Sequence, residues 1–313
     1  MSKLIIIEPY QTGYLPEQSG HRVFYQLFGN PSGIPILFLH GGPGCGFEID
    51  YLPLFDLNKI NLITFDQRGC GQSQLSGQMD NNTTQDLIKD AEKLREMLNI
   101  NQWIVCGHSW GATLSIIYGL YHPSKVKSIC IASFFGGLRR DQEWSFEGIK
   151  KFYPAEVKAL FSTRQSQDKN LNLDAWIYNN LTSNNQELSI ETAFYLLKLE
   201  NEVSQSIAPK DIKKSDVSGE VLSLYKLLFG YGKNDFFVTE EFLYNSTIIL
   251  PPTILVHGRL DFDCLPEQAY RLKNAYPSVD LRFVKGGYHS VFEQPMFGEF
   301  QQAIDEITSN FIQ

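Results

Sequence analysis

A serine hydroxyl becomes a nucleophile only when a base takes its proton and hydrogen-bond donors await the oxyanion. Ser109 has the surroundings for that chemistry. It lies in Gly107-His108-Ser109-Trp110-Gly111, a G-x-S-x-G sequence with an apolar run before it and a helix-forming run after it. A strand that turns sharply into a helix puts the central residue in strained backbone, so small glycines belong on either side. The helix N-terminus below the serine favours developing negative charge. His289, in Gly286-Gly287-Tyr288-His289-Ser290 after the last apolar run, is the candidate base. Two acids follow the run Thr253–Val256, Asp261 and Asp263, and either could orient the imidazole; spacing alone does not separate them. The turn His40-Gly41-Gly42-Pro43-Gly44 can bring backbone N–H groups close to an oxygen, with the N–H of Trp110 as a partner donor. A phosphate cradle is the competing reading of those glycines, but the Lys-Ser/Thr ending of a P-loop and the spacing of a dinucleotide fingerprint are both missing. His40 and His108 sit beside the proposed catalytic turns and read as hydrogen-bonding supports. His21, His122 and His257 read as structural.

The elements that must position these residues are visible as patterns. Arg22–Phe28, Ile34–Leu39, Asn61–Phe65, Trp103–Cys106, Val126–Ala132, Thr253–Val256 and Leu281–Val284 are short apolar runs closed by turn residues, as strands covered on both faces require. Leu87, Ala91, Leu94 and Leu98 recur at helical spacing behind the cap residues Asn82-Thr83-Thr84, and Ala112–Tyr121 is a second helix stopped before Pro123. The alternation predicts an α/β fold with a doubly wound, mostly parallel sheet. It breaks after Ser133. Residues 138–247 read as an inserted helical unit, dividing a core of residues 1–137 and 248–313, and a last helix covers Gln294–Ile312.

Composition bounds the rest. The 313 residues carry a net charge of −8, which excludes the basic face a nucleic acid would need. The apolar run Leu4–Ile7 is too short for a signal-peptide core, and no stretch has the length of a membrane span. Cys45, Cys70, Cys106, Cys130 and Cys264 are odd in number and scattered, which argues for small buried side chains in a reducing, cytoplasmic setting, with no disulfide framework or metal site. Self-association is left open.

Taken together, Ile7-Glu8-Pro9-Tyr10, the H-G-G-P-G turn, Asp66 to Ser73 (D-Q-R-G-C-G-Q-S), Asp80 to Thr84 (D-N-N-T-T), Gly107 to Gly111 and His257 to Asp261 resemble the proline iminopeptidases, serine hydrolases of the α/β-hydrolase fold. The resemblance runs to about Lys151 and resumes near Pro252. It implies Ser109 as nucleophile, Asp261 as acid, His289 as base, and Gly42 with Trp110 as the oxyanion hole. It also implies release of an N-terminal residue, preferably proline, from small peptides or amides, without a cofactor. The family holds the substrate's free amine with glutamates from the helical insertion. One follows a W-x-x-W-E pattern, and here Leu196-Leu197-Lys198-Leu199-Glu200 keeps only the acid. The second falls at Leu227, with Asp235 or Glu220 as substitutes. These departures leave an esterase or amino-acid amidase as the alternative.

Overall fold

The apolar runs become strands because each buries side chains on both faces, which a sheet between two helical layers demands. In Trp103–His108, Trp103 and Val105 enter one core while Ile104 and Cys106 enter the other. Leu37 and Leu39 against Ile36 and Phe38 repeat the division in Ile34–Leu39. The computed structural model describes residues 7–164, 171–203 and 211–311, so most of the N-terminal apolar run and the last expected helical residue, 312, lie outside it.

The strands are β1 (Gln11–Tyr14), β2 (Phe24–Gly29), β3 (Ile34–Leu39), β4 (Ile60–Phe65), β5 (Trp103–His108), β6 (Val126–Ala132), β7 (Thr253–Gly258) and β8 (Asp280–Val284). They form one sheet in the order β1-β2-β4-β3-β5-β6-β7-β8. All neighbours from β4 to β8 are parallel, while β2 runs antiparallel to both β1 and β4. β1 is an addition to the sequence reading. Its residues, Gln-Thr-Gly-Tyr, lie largely exposed at the sheet edge and carry no apolar alternation.

The helices are α1 (Thr84–Met97), α2 (Trp110–Tyr121), α3 (Arg139–Glu143), α4 (Pro154–Phe161), α5 (Leu173–Leu181), α6 (Gln186–Val203), α7 (Gly219–Gly232), α8 (Glu240–Leu243), α9 (Pro266–Ala275) and α10 (Met296–Ser309). Thr83 caps α1 in a reciprocal pair with Asp86, and Leu87, Ala91 and Leu94 face the core at the expected spacing. α2 is buried on every side except Tyr121, so it shows no amphipathic stripe. α1, α2 and α9 cover one face of the sheet, and α10 covers the other through Phe300, Ala303 and Ile304.

Helices α3 to α8 lie between β6 and β7; α4 to α7 share a core of their own, built on Leu160, Trp176, Ile177, Leu181, Ala193 and Phe229, while Leu243 of α8 joins the core on one face of the sheet. Polar ties lock this layer to α1 and the loop before it. The Tyr231 hydroxyl donates to Asn82 Oδ1 at 2.8 Å, the Thr84 hydroxyl to the Phe236 carbonyl at 2.5 Å, and the Gln85 amide to the Phe237 carbonyl at 3.0 Å. Asn82 in turn donates to the Arg68 carbonyl at 3.0 Å. Arg68 is buried and forks onto the buried Asp90 at 2.6 and 2.8 Å. Removing one partner of such a pair strands the other charge. Asp90→Ala is expected to lower unfolding free energy by about 3–5 kcal/mol in urea titrations; a loss within experimental scatter would contradict this reading of the pair.

Candidate active site

Ser109 occupies the hinge between β5 and α2, with φ 58° and ψ −124°, a left-handed conformation that costs energy in any residue but glycine. The flanking glycines have a different reason. A Cβ on Gly107 would stand 2.3 Å from the Gly111 carbonyl oxygen, and one on Gly111 would stand 1.9 Å from the carbonyl oxygen of Leu39. The strain therefore sits on the serine, and the glycines let helix and strand approach around it.

Two backbone N–H groups near Ser109, that of the next residue and that of Gly42 on the same cavity wall, are potential donors. The N–H groups of Trp110 and Gly42 have no acceptor among the described residues. Gly42 itself has φ 111°, and a Cβ there would meet the Gly44 nitrogen at 2.4 Å. Gly41 packs directly on the serine, where a Cβ would be 3.4 Å from Ser109 Cβ. One side chain joins the two donor-bearing segments. Gln67 donates through its amide to the His40 carbonyl at 2.9 Å and accepts from the Trp110 indole at 2.9 Å. The Gln67 backbone N–H donates to His40 Nε2 at 3.0 Å. Burial lowers the His40 pKa, which keeps this ring a neutral support. Sequence reading passed over Gln67; its place inside the D-Q-R-G motif was the available signal.

The loops after β7 and β8 bring Asp261 and His289 together. His289 Nδ1 lies 3.1 and 3.0 Å from the two Asp261 oxygens. Asp261 is fully buried and accepts backbone N–H groups of Asp263 at 3.1 Å and Cys264 at 2.8 Å. Burial pushes its carboxyl upward, but His289, His257 and the Cys264 N–H outweigh burial and hold the pKa below the usual value. Burial likewise opposes charging of His289, and Asp261 overcomes it, raising the imidazole well above its ordinary value. Of the two acids left open by spacing, Asp261 is the one bonded to the histidine. Asp263 does not bond the histidine; it lines the cavity beside Ser109.

His108 supports this layout. Its ring lies 3.0 Å from the Tyr51 hydroxyl at one nitrogen and 3.0 Å from the His289 carbonyl at the other. Burial drives its pKa down to about 3. His257 contacts the Cys264 carbonyl at 2.8 Å, and burial lowers its pKa too.

Ser109 and His289 both face two adjoining cavities. The larger, 340 Å³, is walled by Tyr51, Leu196, Leu199 and Tyr225 and carries Glu48, Glu200 and Asp263. The smaller, 140 Å³, is walled by Phe135, Phe229 and Phe236 and carries Gln142, Asp174 and again Asp263. Glu200 accepts the Tyr225 hydroxyl at 2.6 Å. Leu227 turns away from both; it is 1 % exposed and packs against Gly44 and Gly69, seating α7 on the Gly42 turn and on the turn after β4 that carries Gln67. Neither expected substitute for it reaches the site. Asp235 faces Arg139 at 3.7 Å near the surface, and Glu220 is exposed in the first turn of α7. Cys45, expected to be buried, is exposed to the larger cavity. Desolvation, with Glu200 and Glu48 beside Cys45 and the aspartates beside Cys264, pushes both up to about 12, so both remain thiols. Asp261, Cys264 and His289 place ligand atoms within 4.8 Å of one another, a spacing that could grip a metal ion, although the histidine and the acid already bond each other.

A strand–serine–helix hinge with a His–Asp pair at the ends of a sheet in this order defines an α/β hydrolase. The family described as alpha/beta hydrolase fold matches residues 34–295. The chain is 31% identical over 325 aligned positions to a proline iminopeptidase of Neisseria meningitidis, covering 98% of this chain and 99% of that one. It is 30% identical to a proline iminopeptidase of Arabidopsis thaliana, covering 96% and 80% of the two. The crystal structure of a Mycobacterium smegmatis proline iminopeptidase superposes with a TM-score of 0.60 at 18% identity, over 96% of this chain and 98% of that one, a likeness of fold. The chain belongs to the proline iminopeptidase family of α/β hydrolases.

The electrostatics predict a pH profile. A raised His289 pKa means that the neutral imidazole, the form able to accept a proton, is present only above that value. With a neutral aryl ester, the acid limb of kcat/KM is expected above pH 6.5, the ordinary imidazole value, and Asp261→Asn is expected to move it downward while slowing turnover. A wild-type limb at or below 6.5 would contradict the pairing.

Proposed function

We propose that this chain is a serine aminopeptidase that releases an N-terminal residue, preferably proline, from small peptides or amides through an acyl-enzyme. Ser109 is the nucleophile, His289 the base and Asp261 the acid that orients it. The observation that carries this reading is the company of Ser109. The same cavities that hold the serine and the His–Asp pair contain carboxylates and no lysine or arginine among the described residues, which suits a substrate with a free ammonium.

The steps follow from the geometry. The hydroxyl of Ser109 attacks the carbonyl carbon of the first residue as His289 takes its proton. The oxyanion forms against the N–H groups of Trp110 and Gly42, each worth about 3 kcal/mol to the transition state in comparable sites. His289 then gives its proton to the leaving amine, and water frees the acyl group by the same path in reverse. The small aromatic cavity suits a compact ring such as the pyrrolidine of proline. Glu200 supplies an acceptor for the ammonium, with Tyr225 fixing its carboxylate. Leu196 and Leu199 stand where the family pattern has tryptophans, so the larger cavity is wider on that side and suits the peptide beyond the scissile bond.

A cytoplasmic setting accords with five free cysteines, and no helix among the described residues is long and apolar enough to cross a membrane. The test is direct. Ser109→Ala is expected to abolish hydrolysis of a proline arylamide while leaving the thermal unfolding transition in place. Retained turnover in that variant, or hydrolysis of the N-blocked arylamide by wild type as fast as the free form, would overturn the proposal.

A further inference from the structure

The α-amine of a bound substrate sits on the carbon next to the carbonyl under attack. Whichever cavity takes the side chain, the ammonium must therefore lie close to Ser109, where the cavities join. Glu48 and Glu200 face only the larger cavity, and Asp174 faces only the smaller. Asp263 is the one carboxylate that faces both, as Ser109, Gly42 and His289 do. Its oxygens accept no hydrogen bond and join no ion pair among the described residues. We propose that Asp263, on the core loop after β7, is the second carboxylate that holds the substrate's ammonium, facing Glu200 across it and taking over from the position that Leu227 fills with packing.

The placement has consequences that an acid on the helical insertion would not have. Asp263 donates its backbone N–H to Asp261 Oδ1 at 3.1 Å, so the amine acceptor and the triad acid are set by one short turn. Substrate amine and catalytic imidazole then lie near each other. An uncompensated ammonium there would oppose the imidazolium that forms as Ser109 attacks, and in a low-dielectric cavity the repulsion is strong. Asp263 cancels that charge at the point where the proton moves. Burial, with Asp261 and Glu200 nearby and only His289 opposing, pushes its carboxyl up to about 7. An arriving ammonium stabilises the ionised form and reverses that shift. Asp263 is a specificity residue; the proton transfer remains with His289.

This inference rests on the aminopeptidase reading, and one panel separates the two. Wild type and Asp263→Asn are assayed on free proline arylamide, its N-blocked form and an aryl ester lacking an amine, with fluorophosphonate titration giving the concentration of competent Ser109. In Asp263→Asn the ratio of arylamide to ester kcat/KM is expected to fall on the order of tenfold to hundredfold, the usual cost of a lost hydrogen bond to a charged group. The residual arylamide activity should also lose the part of its acid limb that the ester does not share. A ratio equal to that of wild type, whether both activities hold or both fall, overturns the role of Asp263. A wild type that does not prefer the free amine overturns the aminopeptidase reading and this inference with it.

Discussion

The site depends on how closely α2 is pressed against the ends of β3 and β5. At Gly111 there is no room for a methyl group, since a Cβ would lie inside the van der Waals radius of the Leu39 carbonyl oxygen. That approach forces the chain to turn within one residue, and Ser109 takes the strain as a left-handed backbone. The same approach brings the turn at Gly41 and Gly42 against the serine, so that Ser109 and the candidate oxyanion donors are fixed by one packing event. Gln67 then ties the two donor-bearing segments through His40 and the Trp110 indole, all of it buried. Pre-aimed donors of this kind need no rearrangement when charge develops.

Around that rigid centre the chain distributes its charges by burial. Burial lowers the pKa of His40, His108 and His257, which serve as hydrogen-bonding supports, whereas at His289 the bonded Asp261 outweighs burial. The two cavity thiols are held protonated. Among the histidines at the site, His289 is the one whose surroundings favour the charged form. The helical layer between β6 and β7 closes the other side, and its ties to Asn82 and Thr84 run through the same loop that anchors Arg68.

Much of this was legible in the residues because chemistry constrains them. A serine between two glycines at a strand–helix hinge, a late histidine and an acid after the preceding strand leave few other arrangements, and the continuous apolar runs marked the parallel sheet. What the residues hid depends on three-dimensional context. β1 is polar and exposed and carries no strand pattern. Asp261 and Asp263 read alike in the sequence, and only the folded loops show that one bonds His289 while the other lies at the junction of two cavities. Leu227 could be recognised as a departure, but its packing against Gly44 and Gly69 is visible only once α7 is seated. Asp235 and Glu220 are acids of the right type that the fold carries elsewhere.

The central claim is that Ser109 receives the acyl group of an N-terminal residue. Rapid acid quenching of a proline aryl ester reaction, followed by proteolysis and mass spectrometry, tests it at the atom concerned. The account predicts a single prolyl adduct on the peptide containing Ser109, absent in Ser109→Ala. An adduct on Cys45 or Cys264, or turnover with no acylated peptide at all, would contradict it.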